Sequence, residues 1–167
     1  LGLQTADAQS AAFIRRGYPL SVFTQAVYAL AEHNIPVVVH IILGLPGESR
    51  ETVLRTIDYL NRLPIQGVKL QLLDLADLYR AGEYTPLEKE EYLALVGDCI
   101  AHLRADIVLH RLTGDGDKST LLAPLWSLRK RDVLNHLHRY LRENHIRQGM
   151  SCKIDLSVIY NKPKDVL

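Results

Sequence analysis

His40 stands alone in an otherwise apolar, β-branched run, Pro36 to Leu43. In a strand, Val39 and Ile41 must point to the opposite side from it. A histidine so placed is either a core residue with one satisfied hydrogen bond or a polar contact aimed into a pocket. The run ends in Gly44-Leu45-Pro46-Gly47-Glu48. Glycines there permit a tight strand-to-helix turn, or the close approach of a ligand to the backbone. No Lys-Ser/Thr pair follows them, so this is not a phosphate-binding loop of the Walker kind. Arg15-Arg16 close a helical stretch, where positive charge complements the dipole or a guanidinium could hold a carboxylate bidentately. The densest polar cluster is His110-Arg111-Leu112-Thr113-Gly114-Asp115-Gly116. It reads as a strand running into a Gly/Asp turn, with His and Arg on opposite faces. Arg129 to Arg147 is locally basic, which suits a solvated helix face or a surface for phosphates.

The elements that must position these residues follow from the period of the apolar ones. Leu1 to Gln4 reads as the end of a strand. Asp7 to Arg16 reads as a helix closed by Gly17, and Ser21 as the N-cap of a helix running to about Asn34. Pro36 to Leu43 reads as a strand buried on both faces, the mark of a parallel sheet. A helix opens at Glu48 or Ser49 and runs to about Leu63, and Val68 to Leu73 is the next buried strand. This βαβαβ order predicts right-handed parallel crossovers, with ligands gathering at the C-terminal strand ends near Gln4, His40, Gly44 and Gln71. Asp74 starts a helix with no connecting loop, so residues are expected to be missing between Leu73 and Asp74. That helix ends at Gly82. A long amphipathic helix over Leu87–Leu103, a strand over Ile107–Leu112 and a helical stretch over Leu121–Asn144, divided near Ser127, complete the pattern. The tail Lys153–Tyr160 alternates like a half-exposed strand. The start Leu1-Gly2-Leu3-Gln4 carries no initiator Met and reads as part of a longer protein.

Bulk composition sets limits. The 167 residues are 47% apolar and 23% charged, with a net charge of +1, the balance of a globular protein with one ordinary core. That charge gives the molecule as a whole no electrostatic reason to seek nucleic acid or membrane. No apolar run reaches the length of a membrane span and no secretory signal is visible. The two cysteines, Cys99 and Cys152, form no disulfide framework, so a cytoplasmic location is the expectation.

Leu1-Gly2-Leu3-Gln4-Thr5-Ala6, then Arg16-Gly17, then His40-Ile41-Ile42-Leu43-Gly44-Leu45-Pro46-Gly47-Glu48 resemble strands four and five of the radical S-adenosylmethionine (SAM) barrel. The Gln4-to-Arg16 spacing is also similar to that of oxygen-independent coproporphyrinogen oxidase. Within the superfamily the resemblance is to the bacterial YtqA/YhcC group, related to the catalytic subunit of Elongator. It rests on His110–Gly116 followed by Leu122-Ala123-Pro124-Leu125-Trp126-Ser127-Leu128, and it covers about residues 1–149.

The resemblance implies an α/β fold, the C-terminal half of a partial (β/α)6 TIM-like barrel with a helical extension. It divides the chain into the half-barrel over 1–112, a family-specific helical region over 113–149 and a tail over 150–167. It implies that Gln4 and Arg16 contact the methionine part of SAM, Arg16 at its carboxylate, that His40 contacts the ribose, and that Ile42 and Gly44 line the adenine. His110, Arg111 and Asp115 are candidates for the substrate side. The family's CxxxCxxC ligands of a [4Fe–4S] cluster and its Gly-Gly-Glu-type motif are absent from this sequence, so the chain alone is expected to bind no cluster and cleave no SAM. A stretch like His-Val-Leu-Lys-Gly-Thr, which the family carries after its sixth strand, is absent after Leu73. An intact enzyme of this kind takes an electron from flavodoxin or ferredoxin and generates a 5′-deoxyadenosyl radical. For this group the implied substrate is a tRNA wobble uridine, with Arg129–Arg147 suited to the tRNA phosphates. A small-molecule or protein substrate, a non-catalytic α/β binding module, and a non-radical enzyme using His110 and Asp115 stay open as alternatives.

Overall fold

β-Branched residues crowd their own χ1 in a helix and pack well on a pleated surface, and each such run here forms a strand. The computed structural model describes residues 1–72, 82, 84–114, 123–154 and 159. In chain order the elements are β1 (Gly2–Gln4), α1 (Ala8–Phe13), α2 (Leu20–Glu32), β2 (Val38–Leu43), α3 (Arg50–Leu60), β3 (Gly67–Leu72), α4 (Lys89–His102), β4 (Val108–Arg111), a 3-10 turn (Leu125–Leu128) and α5 (Lys130–Glu143). The four strands form one parallel sheet in the order β1-β2-β3-β4.

That sequential order has a consequence. Right-handed crossovers between strands that always advance in one direction put every connecting helix on the same side of the sheet. A single core accordingly gathers Leu3, Val39, Ile41, Leu43, Val68 and Leu70 from the strands with Phe23, Val27, Ile57, Tyr92, Val96, Val133 and Leu137 from α2, α3, α4 and α5. The sequence predicts strands buried on both faces, and the structure corrects this. Along β2 the buried residues are Val39, Ile41 and Leu43, while Val38, His40 and Ile42 are half-buried. No described helix contributes to the second face in the way that α2 to α5 cover the first.

One helix end departs clearly from expectation. The first helix stops at Phe13 rather than Arg16. Arg15 takes the left-handed conformation (φ 52), and Arg15 and Arg16 donate backbone N–H groups to Ala12 and Ala11. This is a Schellman termination, with Arg15 where glycine usually stands. The same motif closes α2 with Asn34 (φ 55) and α5 with His145 (φ 54). The N-cap of α2 is Pro19, two residues before Ser21, so the helix begins at Leu20. Ser49 caps α3 by accepting from the N–H of Thr52, as the sequence suggests. The long α4 opens with a capping box between Glu88 and Glu91. The break in the last helical region falls at Arg129, not Ser127, which lies inside the 3-10 turn. Residues 152–154 form no strand. The expected gap after Leu73, the helix from Asp74, and most of the tail lie outside the described residues. No described helix is long and apolar enough to cross a membrane.

Arg104 closes the bottom of the sheet. Its side chain is 1% exposed and donates to the carbonyls of Asn61, Leu63 and Ile65, with Asp106 accepting from Nε at 3.0 Å. Asn61, itself 0% exposed, joins the same knot by accepting from the N–H of Arg104 and donating to the carbonyl of His102. Arg104→Met fills the space but leaves those buried acceptors unpaired, and should lower unfolding free energy by about 2–4 kcal/mol. A denaturation midpoint equal to that of the parent chain would contradict this account of the α3–β3 and α4–β4 turns.

Candidate functional site

The second face of the sheet carries the polar residues. Gly2 lies in register with His40, His40 with Lys69, Ile42 with Gln71, and Lys69 with Arg111. Neighbours in register on parallel strands point the same way, so His40, Lys69 and Arg111 form one row on the face that no described helix covers. His110 joins them after the irregularity between Val68 and Lys69. A Cβ on Gly67 would stand 2.5 Å from the His110 ring, so the ring lies over that glycine and only a residue without a side chain leaves it there.

The C-terminal tip of β1 is shaped by an unusual turn. Gln4 has φ 62, and the N–H of Thr5 donates to the carbonyl of Leu3 at 2.8 Å. A three-residue turn of this hand is rare and strained for a residue with a side chain. Arg16 holds it: Nη1 donates to the carbonyls of Thr5 at 2.6 Å and Leu3 at 3.3 Å, and Nε to Tyr18 at 3.2 Å. The Arg16 guanidinium also lies 5.3 Å from the Tyr18 ring centroid, and the Tyr18 hydroxyl donates to the carbonyl of Gly2. Nη2 of Arg16 makes no hydrogen bond among the described residues. With its amide oriented to suit its surroundings, Gln4 donates back to the carbonyls of Gly2 and Leu3, which keeps it over Gly2 and beside His40.

Beneath the tip, Thr5, Glu48 and Thr56 tie the first strand's exit to the second's. The Thr5 hydroxyl donates to Glu48 Oε1 at 2.5 Å, and the N–H of Ala6 donates to Thr56 Oγ1 at 3.0 Å. Burial pushes the Glu48 carboxyl up, against the hydrogen bonds from Thr5 and Ser10. The tip of β2 is covered differently. Gly44 has φ 83, its carbonyl accepts from the Tyr84 hydroxyl at 3.0 Å, and a Cβ there would press on Leu87 at 3.2 Å. Tyr84 and Leu45 pack with Ile14 and Ile42 in a small cluster of their own.

Gln4, Arg16 and His40 thus gather around the tips of β1 and β2, Gln4 and His40 on the open face and Arg16 bracing the turn. Ile42 and Gly44 sit one step along, under Tyr84. His110 and Arg111 lie two strands away on the same face, and Asp115 lies outside the described residues. Lys69 and Tyr84 were not singled out by type or spacing, and Gln71 was named only as the residue near the end of β3. Strand alternation places Lys69 and Gln71 on the open side, but only once the helices are known to cover the other. A separate cavity of about 220 Å³ opens beside Gly44 on the helix side, lined by Glu48, Arg50, Leu87, Glu91 and Asp98. It is smaller than the ~300–1,000 Å³ of ordinary ligand sites, and Arg50 is already paired there with Asp98. Among the described residues no group of three His, Cys, Asp or Glu could hold a metal ion. Cys99 is buried within α4, which pushes its thiol up.

The Radical SAM C-terminal domain family matches residues 73–143. YtqA of Bacillus subtilis strain 168 is 33% identical over 155 residues, 89% of this chain and 48% of that protein. YhcC of Escherichia coli K12 is 30% identical over 152 residues, 87% of this chain and 49% of that protein. Among solved structures, Elp3 of Methanocaldococcus infernus with an N-terminal deletion superimposes with a TM-score of 0.76 at 17% identity, over 89% of this chain and 36% of that one. The chain is homologous to YtqA and YhcC, carries a radical SAM C-terminal domain, and has the fold of part of Elp3. It spans about half the length of the curated relatives it matches.

Glu48 supplies a test of the tip. Its folded value lies above its unfolded one of 4.5, so its contribution is fully present below the unfolded value and is lost as pH rises through the folded one. Glu48→Gln keeps the acceptor for Thr5 and removes the titration. Relative to the parent, the variant should gain melting temperature between about pH 4 and about pH 7; a constant difference across that range would contradict the burial of an ionising carboxyl there.

Proposed function

We propose that this chain forms the C-terminal half of a radical SAM barrel and that the open face around the tips of β1 and β2 is its share of the SAM pocket. The observation that carries the reading is the strained Gln4 turn, braced by Arg16 and set beside His40 on a face no described helix covers. Strain of this kind persists where the surroundings impose it, and it gathers at binding sites. The residues present fit the ligand's chemistry. Nη2 of Arg16 is left to pair with a carboxylate, the Gln4 amide oxygen offers an acceptor while its N–H groups hold the turn, and His40 presents a neutral ring to a ribose. Ile42 and the Gly44 backbone offer an apolar surface and a carbonyl to the adenine, once the Tyr84 hydroxyl releases that carbonyl.

The residues of this chain do not fit an iron–sulfur cluster, so its ligands are assigned to the other half of a longer protein. Together, SAM and a cluster supply reductive radical chemistry, with flavodoxin or ferredoxin as the electron source. The task of this chain is to bind SAM's methionine and nucleoside ends, orient them and keep water from the reacting centre. His110, Arg111 and Asp115 belong to the substrate side.

For the substrate, tRNA is the reading favoured by α5. Its buried side is Val133 and Leu137, and Arg131, His138, Arg139 and Arg142 are exposed. Asp132 is spoken for by Lys89 at 2.7 Å and His136 at 3.6 Å. The outer side therefore presents a cationic stripe to phosphates.

Two measurements test this. Calorimetric titration of the chain with SAM should show binding that His40→Ala weakens by about tenfold. The full-length protein, reconstituted anaerobically with iron and sulfide and reduced, should release 5′-deoxyadenosine; none released from a protein with an intact cluster would remove the enzyme reading. For the partner, the Arg131→Gln/Arg139→Gln/Arg142→Gln variant should lower the salt slope of tRNA binding by about 2–3. An unchanged slope would detach α5 from the nucleic acid.

A further inference from the structure

The tip of β2 already holds a side chain of this molecule. Gly44 lies one residue beyond the last register pair of the ladder, Leu43 with Leu72. That is the strand end where parallel sheets gather their ligands. Its carbonyl accepts from the Tyr84 hydroxyl at 3.0 Å. The Tyr84 side chain is 7% exposed and packs with Leu45, Ile14 and Ile42. Ile42 shares its side of β2 with His40, so the ring covers the open face where the strand ends.

These contacts have the chemistry of a bound purine. A tyrosine ring is a flat apolar plate with a hydrogen-bond donor at its edge. Here the plate packs on aliphatic side chains and the donor meets a backbone carbonyl. Adenine also presents a flat π-face, with an exocyclic amino donor at one edge. The ring's packing is separate from the main core. Leu45 and Tyr84 form a cluster apart from the one that gathers Leu3, Ile57 and Leu137. Towards α4, Tyr84 is joined through Thr85 and Pro86 to Leu87, which packs on the main core and whose carbonyl accepts from Trp126 Nε1 at 3.2 Å. The ring is therefore tethered beside the tip, and a tethered group competes at a high effective concentration.

We propose that Tyr84 is a built-in occupant of the adenine slot: its ring and hydroxyl hold the place of a purine at Ile42 and Gly44, and a nucleoside binds by displacing them. The inference rests on the SAM-pocket reading and deepens it, because it gives that pocket a competitor within the same chain. Such a competitor lowers apparent affinity by the fraction of molecules whose slot is free. Its removal strengthens binding, whereas removal of a ring that stacks on the ligand weakens it.

The test is calorimetric titration of the 167-residue chain and its Tyr84→Phe and Tyr84→Ala variants. The ligands are SAM and, separately, adenosine, which carries the purine without the methionine. Tyr84→Phe keeps the packing and loses the hydroxyl tie, and should bind about fivefold tighter than the parent. Tyr84→Ala also loses the ring, and should bind about tenfold tighter or more. Thermal melting shows whether Tyr84→Ala is folded; if it is not, Tyr84→Phe decides alone. The proposal is overturned if Tyr84→Phe binds neither ligand more tightly than the parent. Weaker binding to a folded Tyr84→Ala also overturns it, by making the ring a stacking platform. The SAM reading fails separately: adenosine held more tightly by the variants, with SAM bound by none of the three proteins, keeps the occupied slot and removes the SAM pocket. SAM bound equally by parent and variants does the reverse.

Discussion

The direction in which the chain winds governs the rest of this structure. Four parallel strands advance in sequence order, and right-handed crossovers lay α2, α3 and α4 against the same face. A parallel sheet wound back on itself would carry helices on both sides. Here one side holds a continuous apolar core from Leu3 to Leu70 and from Phe23 to Leu137, and among the described residues the other carries His40, Ile42, Lys69, Gln71, His110 and Arg111. Curling such a sheet would turn that second side inward, and in parallel (β/α) barrels ligands sit at the C-terminal ends of the strands. The half-buried state of β2's alternate residues follows from the same geometry.

The strand tips are where stability is exchanged for shape. A left-handed Gln4 is an unfavourable backbone choice, and the structure surrounds it with compensation. Arg16 donates to the carbonyls of the turn, Thr5 and Glu48 bond each other behind it, and Thr56 reaches the N–H of Ala6. The Schellman end of α1 makes this bracing possible, because the reversal at Arg15 swings Arg16 back towards β1. At the far end of the sheet the buried Arg104 knot is purely architectural, satisfying the carbonyls that α3 and its turn leave open.

Much of this was legible in the residues. The β-branched runs and Ser49 as a cap gave the βαβαβ unit, while His40 stayed open between a core residue and a pocket contact. The motifs around His40–Glu48 and His110–Leu128 carried the relationship to the YtqA/YhcC group. What could not be read was two-sidedness. A run such as Val37-Val38-Val39-His40-Ile41-Ile42-Leu43 looks buried throughout, because Val38 and Ile42 are as apolar as Val39 and Ile41; only the winding of the helices shows which set faces the core. Lys69 went unnoticed for the same reason, since a lysine between Val68 and Leu70 has no signature until its neighbours in register are known. The end of the first helix misled because Arg15 takes a conformation that glycine usually announces. Tyr84 reaches Gly44 across the fold, a contact local pattern does not encode.

The central claim is that the open sheet face, not the helix side, receives SAM. The most direct measurement is backbone and side-chain NMR of the isotope-labelled chain during SAM titration. The account predicts shifts confined to the strand tips and their open side: Gln4, Thr5, His40, Ile42, Gly44 and the side chain of Arg16. Shifts centred instead on the Arg50–Asp98 cavity between α3 and α4, or none at saturating SAM, would contradict it.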